Sequence, residues 1–302
     1  MPIPINRFLN VGAVVTAGPA GVGPPISNVG LPTGAQEGPR ITWDITRDLT
    51  PEPDRGIIEI WNLDPSMANA MRIAQENAET GLYRVTLSFG WDSKPNLWAV
   101  MTPYDVDPQT PVGPVDNVTR FNCADGGIAY RDTAMSQSLQ KADWNTILNV
   151  IALQMKLGIS PSSLAVFQAA AAASPVKIFD NYSLYGDASD RLTDLCETLK
   201  LEWIIQNDTI VIIPAGVPTA GDSVILTPET GLLTYAPESD GSITCTALAS
   251  PGILPGPALA VLDEFKKPIA DGVFRVYSVH CVGDTNSGAT MTIRGKKALI
   301  GF

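Results

Sequence analysis

The residues best suited to nucleophilic or metal chemistry are one histidine and four cysteines, and the histidine's position argues against catalysis. His280 is the only histidine of the chain, so a catalytic triad would have to use it as the base. It lies between Val279 and Cys281 in a run that reads as a strand, where a lone histidine is usually a packing or surface residue. We therefore expect no catalytic role for His280.

The cysteines are far apart in sequence and include no C-x-x-C pair. They are Cys123, Cys196, Cys245 and Cys281. The local spacing of a metal site is missing, which favours buried, inert thiols. We expect these thiols to be reduced and free of metal, because the cytoplasm that makes the chain is reducing.

Two carboxylate pairs are close in sequence: Glu52 with Asp54, and Asp105 with Asp107. A glycosidase needs two carboxylates that converge across a cleft, and proximity within Pro-rich loops does not supply that arrangement. We interpret both pairs as solvated loop charges. The Gly-x-Ser-x-Gly, phosphate-loop and dinucleotide patterns are also missing. The sequence thus predicts no catalytic, cofactor, metal or nucleic-acid site, and no enzyme.

Composition indicates a globular, β-rich chain of 302 residues. Hydrophobic residues make up 45% and charged residues 17%, while 26 glycines and 25 prolines predict many turns. The net charge of −11 disfavours binding to phosphate backbones, although it suits solubility or a channel that DNA passes without sticking. The N-terminus does not read as a signal peptide, and the uncharged run 8–36 is too rich in Gly and Pro for a membrane helix. We expect the chain in the cytoplasm that makes it.

The elements fall into three parts, which we predict as domains at 1–124, 125–217 and 218–302. In the first part, period-two alternation predicts strands from Ile41 and from Tyr83, and Asp64-Pro65 opens a helix between them. The middle part reads as α+β: two amphipathic helices, the first capped by Asp143, precede a hairpin whose turn contains Asn207-Asp208. Its segment 160–175 is either a short helix or a loop insert. The last part returns to alternating strands.

A Gly/Pro-rich segment, 17–39, stands out within the first part. Its composition is typical of a long exposed loop, or of an arm that becomes ordered only against a neighbouring subunit. Its prolines disfavour a regular helix or central strand. We therefore expect the segment to be loosely held in the free protein.

Several stretches, taken in order, resemble the baseplate hub family of phage tails, which includes late-control and contractile-system hub proteins. They are Ile41–Arg47 with Ile58–Pro65, Tyr182–Ala188 with Leu195–Ile213, and Leu226–Leu233 with Pro255-Gly256 and Phe274–His280. The first is similar to the family's strand, acidic turn and strand ending in Trp-Asn-Leu-Asp-Pro. The second resembles the middle domain of hub proteins, and the third their C-terminal entry and strand. The segment 17–39 and the run Ala169–Ala173 depart from the pattern.

The resemblance implies a fold and a structural role. The fold would be mainly β, with two tail-tube-like barrel or sandwich domains flanking a small α+β domain. The partners would be two further copies in a homotrimer, a tail tube or distal tail protein, a spike or tip protein, and a tape measure protein. Three chains would form a pseudo-sixfold ring at the tip of a virion tail, assembled in the host cytoplasm, through which genomic DNA passes without specific binding.

Two other functions stay open at this point. One is a peptidoglycan- or carbohydrate-binding tail module, in which Trp203 and Tyr182 would stack on sugars. The other is a tail-associated lysin.

Overall fold

The computed structural model describes residues 11–19, 25–28, 38–77, 83–91, 95–112, 116–126, 133–219, 223–269 and 272–298. Within these ranges the chain is mainly antiparallel β, with four α-helices. This confirms the predicted fold class of a β protein that carries an α+β part.

We call five neighbouring strands of the main sheet the first unit. They are β3 (Ile41–Asp48), β4 (Arg55–Trp61), β5 (Tyr83–Trp91), β6 (Asn96–Val112) and β7 (Asp116–Ala124), with helix α1 (Pro65–Asn77) between β4 and β5. Two further strands, β1 (Val11–Pro19) and β2 (Pro25–Asn28), extend it past β5. The alternation predicted from Ile41 and from Tyr83 is the observed burial pattern. The carboxylate of Asp64 accepts the amide of Ser66 at 2.9 Å and thereby starts α1.

The middle module has its own hydrophobic core. Its elements are β8 (Ala134–Asp143), α2 (Trp144–Met155), β9 (Gly158–Ile159), α3 (Pro161–Ala173), β10 (Ile178–Asp187), α4 (Ala188–Thr198), β11 (Leu201–Gln206) and β12 (Thr209–Pro214). Asp143 caps α2 as predicted, by accepting the amide of Thr146 at 2.7 Å. The undecided segment 160–175 is the helix α3, which Ser160 caps. Helix α2 ends at Met155, because Lys156 adopts the left-handed conformation.

The last strands form what we call the second unit. They are β14 (Leu232–Pro237), β15 (Ile243–Leu248), β16 (Ala258–Val261), β17 (Phe274–Asp284) and β18 (Gly288–Lys297), preceded by β13 (Val224–Leu226). β13 pairs with β16. A capped 3-10 turn, Pro228–Thr230, leads into β14.

Both units have the same strand order. In the first unit neighbouring strands run β3-β4-β7-β6-β5, and in the second they run β14-β15-β18-β17-β16. Counted along the chain, each order is first, second, fifth, fourth, third. β3 also pairs with β17, so the two units lie edge to edge in one continuous sheet and contribute to one hydrophobic core.

The expectation of a loosely held segment at 17–39 is wrong for the residues that the structure describes. Ala17 ends up inside β1, which pairs along its length with β5, and Ile26 lies buried in β2 opposite Val15. Proline did not prevent pairing here because β2 is an edge strand, where a missing N–H can be tolerated. The parts at 20–24 and 29–37 lie outside the described residues.

Candidate functional site: the uncovered face of the sheet and its buried junction

The histidine and the cysteines do not converge. His280 lies on the sheet surface, where its Nε2 is 2.7 Å from Oδ1 of Asp44. The four cysteines are free and buried, as predicted, and each occupies a different element. Burial raises the pKa of the Cys196 thiol to about 12, which disfavours the reactive thiolate. Within the described ranges, no three His, Cys, Asp or Glu side chains are grouped as metal ligands.

Of the two carboxylate pairs, one is not what the sequence predicted. Asp54 is buried and not solvated: its Oδ2 accepts the Nε of Arg47 at 3.2 Å, and its Oδ1 accepts the amide of Asp48 at 2.8 Å. Asp105 and Asp107 lie in β6, which continues as a strand through most of the Pro-rich stretch. Asp105 accepts the side-chain amide of Asn122.

Arg47 is the centre of a buried junction between the first unit and the middle module. Its guanidinium is 1% exposed and donates to Asp54, to the carbonyl of Trp98 at 2.6 Å, to Oδ2 of Asp125 at 3.1 Å and to Oδ1 of Asn207 at 3.0 Å. Charge-assisted bonds of this kind are the stronger class of hydrogen bond. The junction therefore holds four separate chain segments around one cation.

The middle module reaches this junction through the tip of its β11–β12 hairpin. Asn207 and Asp208 both have positive φ, as a two-residue hairpin turn of type I′ requires. The carboxylate of Asp125 accepts both turn amides, at 2.7 and 2.9 Å, and the Asn207 side chain accepts the amide of Val100 at 3.1 Å. Turn residues predicted only to reverse the chain thus also anchor the module.

Burial dominates the electrostatics of the junction. It raises the pKa of Asp54 to about 7, against the attraction of Arg47, and raises the pKa of Asp208 to about 6. The pKa of Asp125 is raised by the same cause. This setting disfavours the charge of the carboxylates, and the effect is partly offset by Arg47 for Asp54 and Asp125 and by Arg84 for Asp208.

Sequence reasoning missed this junction, although one signal was present. Ile41, Trp43 and Ile45 point inward, so Arg47 continues the same inward face of β3. A charged residue on the buried side of an alternating strand calls for a buried partner. Its partners Asp125 and Asn207 are remote in sequence, so pattern alone could not identify them.

The opposite side of the sheet forms a face on which most side chains of the described strands are exposed or half-buried, with Val118 and Ala124 of β7 as buried exceptions. Its members on the central strands are Thr42, Asp44, Thr46, Asp48, Arg55, Ile57, Glu59, Arg120, Asn122, Ser278, His280, Val282, Thr290, Thr292, Arg294, Thr244 and Thr246. We call it the uncovered face. It crosses the β3–β17 pairing without interruption, because His280 is opposite both Thr46 and Thr292.

The uncovered face is polar and partly acidic. Its charges are largely paired with each other: Arg120 donates to Glu59 at 2.7 Å, and Thr42 donates to the same carboxylate at 2.9 Å. At the β3–β4 turn, a groove of about 590 Å³ is lined by four carboxylates and one cation: Asp44, Asp48, Glu52, Asp54 and Arg55. The surface of this face therefore consists mainly of hydroxyls and carboxylates, with few unpaired cations.

The residues proposed to stack on sugars are not arranged for that role. Trp203 is 2% exposed, and its indole N–H donates to Thr193 at 3.0 Å. Tyr182 packs edge-on against Phe179, with ring centroids 5.1 Å apart. A buried indole presents no open ring face to a carbohydrate.

Among the helices that the structure describes, no candidate for a membrane-spanning segment is found.

The fold is similar to that of solved phage tail proteins. The 43 kDa tail protein of prophage MuSo2 from Shewanella oneidensis aligns at 12% identity and a TM-score of 0.59, over 95% of this chain and 98% of that one. The tail protein from Neisseria meningitidis MC58 aligns at 11% identity and 0.59, over 95% and 97%. No protein-family model and no curated protein sequence matches the chain.

The fold is also similar to parts of type VI secretion proteins. The c3393 protein of E. coli is a component of that system with structural similarity to the T4 tail proteins gp27 and gp5. It aligns at 10% identity and a TM-score of 0.53, over 89% of this chain and 76% of that one. A chain of the lidded PdpA-VgrG complex from Francisella aligns at 6% identity and 0.59, over 96% and 53%. The chain therefore shares a fold with tail proteins and with VgrG-like proteins.

Proposed function

We propose that the chain is a structural hub subunit of a phage-type tail. The observation that carries the proposal is the repeated strand order: two alike units lie side by side in one sheet, joined through β3 and β17. Three such chains would supply six alike units around an axis, a trimeric ring with pseudo-sixfold symmetry. The similarity to tail proteins in fold supports the same assignment.

A ring of this kind solves a mismatch of symmetry between its neighbours. One side would meet a hexameric tail tube or a distal tail protein, and the other a trimeric spike or tip protein. A tape measure protein and then the genomic DNA would occupy the channel. The site of action would be the tail tip or baseplate of the virion.

The uncovered face is suited to line the channel. Its carboxylates repel phosphate, and two of its three arginines are paired with carboxylates: Arg120 with Glu59, and Arg294 with Asp240. Binding to duplex DNA depends on cations that neutralise phosphates, so a lining of this composition lets DNA slide past. We infer a structural and not a catalytic role: purified protein should leave cell walls intact in a lysis assay.

The copy number in purified tails tests the proposal. Imaging of the tail tip, or quantitative mass spectrometry against the tube protein, should give three copies beside tube rings of six. Any other ring count, or absence of the chain from tails, would overturn the hub assignment.

A further inference from the structure

The repeated strand order assigns a counterpart in the second unit to residues of the first. Four cross-strand partners in the first unit form the row Asp44, Ile57, Asn122 and Asp105. The matching row in the second unit is Ala236, Thr244, Arg294 and Ser278. Both rows end just after a bulged tyrosine, which is Tyr104 in β6 and Tyr277 in β17. The two units therefore correspond along these strands, except that β6 has one extra residue in the irregularity between Asp107 and Thr110.

The pairing of β3 with β17 has no equivalent elsewhere among the described strands, although the counterparts of both strands are present. β3 pairs with the second half of β17, Ser278–Asp284. The counterpart of β3 is β14, which among the described strands pairs only with β15. The counterpart of Ser278–Asp284 is 105–112 of β6, which within the described residues pairs with β7 alone. Both halves of a second joint are therefore present: β14 at one end of the sheet, and the part of β6 that lies beyond its pairing with β5.

We propose that β14 of one copy pairs with 105–112 of β6 in the next copy, and so repeats the β3–β17 joint between chains. The contact is head to tail, with different surfaces on the two partners, so it closes into a ring when the rotation per copy allows. The inference rests on the ring of the proposed function and assigns its interface.

The exposed apolar side chains on these two strands support the joint. Trp43 of β3 is 2% exposed at the existing joint, whereas its counterpart Tyr235 on β14 is 49% exposed. Leu233 on β14 and Val112 on β6 are 48% and 42% exposed. Apolar side chains of this size on an edge strand indicate a surface that a partner covers.

Prolines make the joint between copies weaker than the joint within the chain. Pro237 of β14 and Pro111 of β6 have no backbone N–H, so each removes one possible bond of the ladder. Prolines on edge strands also limit indiscriminate pairing. The contact is therefore selective and forms most completely where copies are concentrated, as in a growing tail tip.

The correspondence fixes the register and hence the test. Asp44 is opposite Val282 at the existing joint, and their counterparts are Ala236 and Thr110. The amide of Thr285 donates to the carbonyl of Ile41, so by alternation Asp44 and Val282 form a non-hydrogen-bonded pair. Cα atoms in such pairs lie about 4.5 Å apart, which is within the span of a disulfide.

The test is disulfide trapping in the full chain carrying Ala236→Cys and Thr110→Cys, oxidised over a range of protein concentrations. We expect cross-linked species that increase with concentration and end at three chain masses on a non-reducing gel. The matched control is Asp44→Cys with Val282→Cys, which should cross-link within a single chain and so shows that the geometry and the fold are intact. Each single variant should stay uncross-linked.

The outcomes separate the joint from the proposed function. A monomer alone at every concentration, with the control cross-linked, overturns the joint. Cross-linked species that extend beyond three chain masses support the joint and overturn the three-copy ring. Tails that contain three copies but whose variant chains do not cross-link overturn only the joint.

Discussion

Trp43 lies directly opposite Gly283 where the two units meet, and its indole occupies the space that a side chain at position 283 would need. A Cβ at Gly283 would be 2.0 Å from Cζ2 of Trp43. The indole also stacks on Phe89, with centroids 5.3 Å apart, and donates its N–H to the sulfur of Cys281 at 3.3 Å. At the β3–β17 joint, the indole of Trp43 thus packs directly over Gly283.

The first prediction concerns that contact. Gly283→Ala should lower the free energy of unfolding by about 3 kcal/mol, because the buried indole cannot move aside without leaving its stack. The control is Gly158→Ala, where a Cβ would meet nothing within 4 Å. Urea unfolding measures both variants, and equal stability of the two would contradict the packing described.

The second prediction concerns the buried junction. Arg47→Ala should cost about 3–5 kcal/mol of stability, because it leaves the buried carboxylates of Asp54 and Asp125 without their cation. Arg120→Ala removes an exposed pair with Glu59 and should cost about 0–1 kcal/mol. Thermal or urea unfolding of the pair gives the comparison. A similar cost for both would mean that the junction does not depend on its central charge.

The third prediction is a pH dependence with a defined sign. Burial raises the pKa of Asp54 to about 7, so between about pH 4 and pH 7 the folded chain holds a proton there that the unfolded chain has lost. The contribution of Asp54 to stability therefore falls as pH rises through this window.

The control for this prediction is Asp54→Asn, whose side chain cannot ionise and keeps an acceptor for the amide of Asp48. Relative to this variant, the wild type should lose up to about 1.4 kcal/mol per pH unit. Unfolding curves of the two proteins at pH 5, 6, 7 and 8 provide the measurement, and a constant difference would refute it.

The fourth prediction concerns the edge strand β2. Ile26→Ala should lower the free energy of unfolding by about 2 kcal/mol or more, because the side chain is buried against β1. Ile225→Ala, at a half-exposed isoleucine, should have little effect. If Ile26→Ala is as mild as its control, β2 does not hold its place in solution.

Local physics was enough to predict most elements from the sequence. Alternation identified β3 and β5, and the caps at Asp64 and Asp143 placed the starts of α1 and α2, because these signals depend on neighbours within a few residues. The Asn207-Asp208 turn was predictable for the same reason. Buried thiols followed from apolar surroundings.

Pairing between remote strands was beyond such signals. The repeat of strand order is invisible in sequence, because counterparts such as Asp44 and Ala236, or Asp105 and Ser278, share a position in the fold without sharing chemistry. Gly283 reads as a turn residue next to Asp284, whereas its role is to admit an indole from β3. The burial of Asp54 depends on Arg47 and on a hairpin from another module, so its local Pro-rich context was misleading.

The β3–β17 pairing can form only late in translation, because the two strands are far apart in sequence. Trp43 and Cys281, which bond across it, are 238 residues apart. At a synthesis rate of roughly 5–20 residues per second, β3 is made about 10–50 s before its partner leaves the ribosome. During that interval the edge of β3 that will pair with β17 has no partner strand. Incorrect pairing between two nascent chains would therefore start at this edge. Protease protection of Trp43's strand should therefore appear only after Asp284 has emerged, and chains stalled at the end of the middle module should be cleaved at β3.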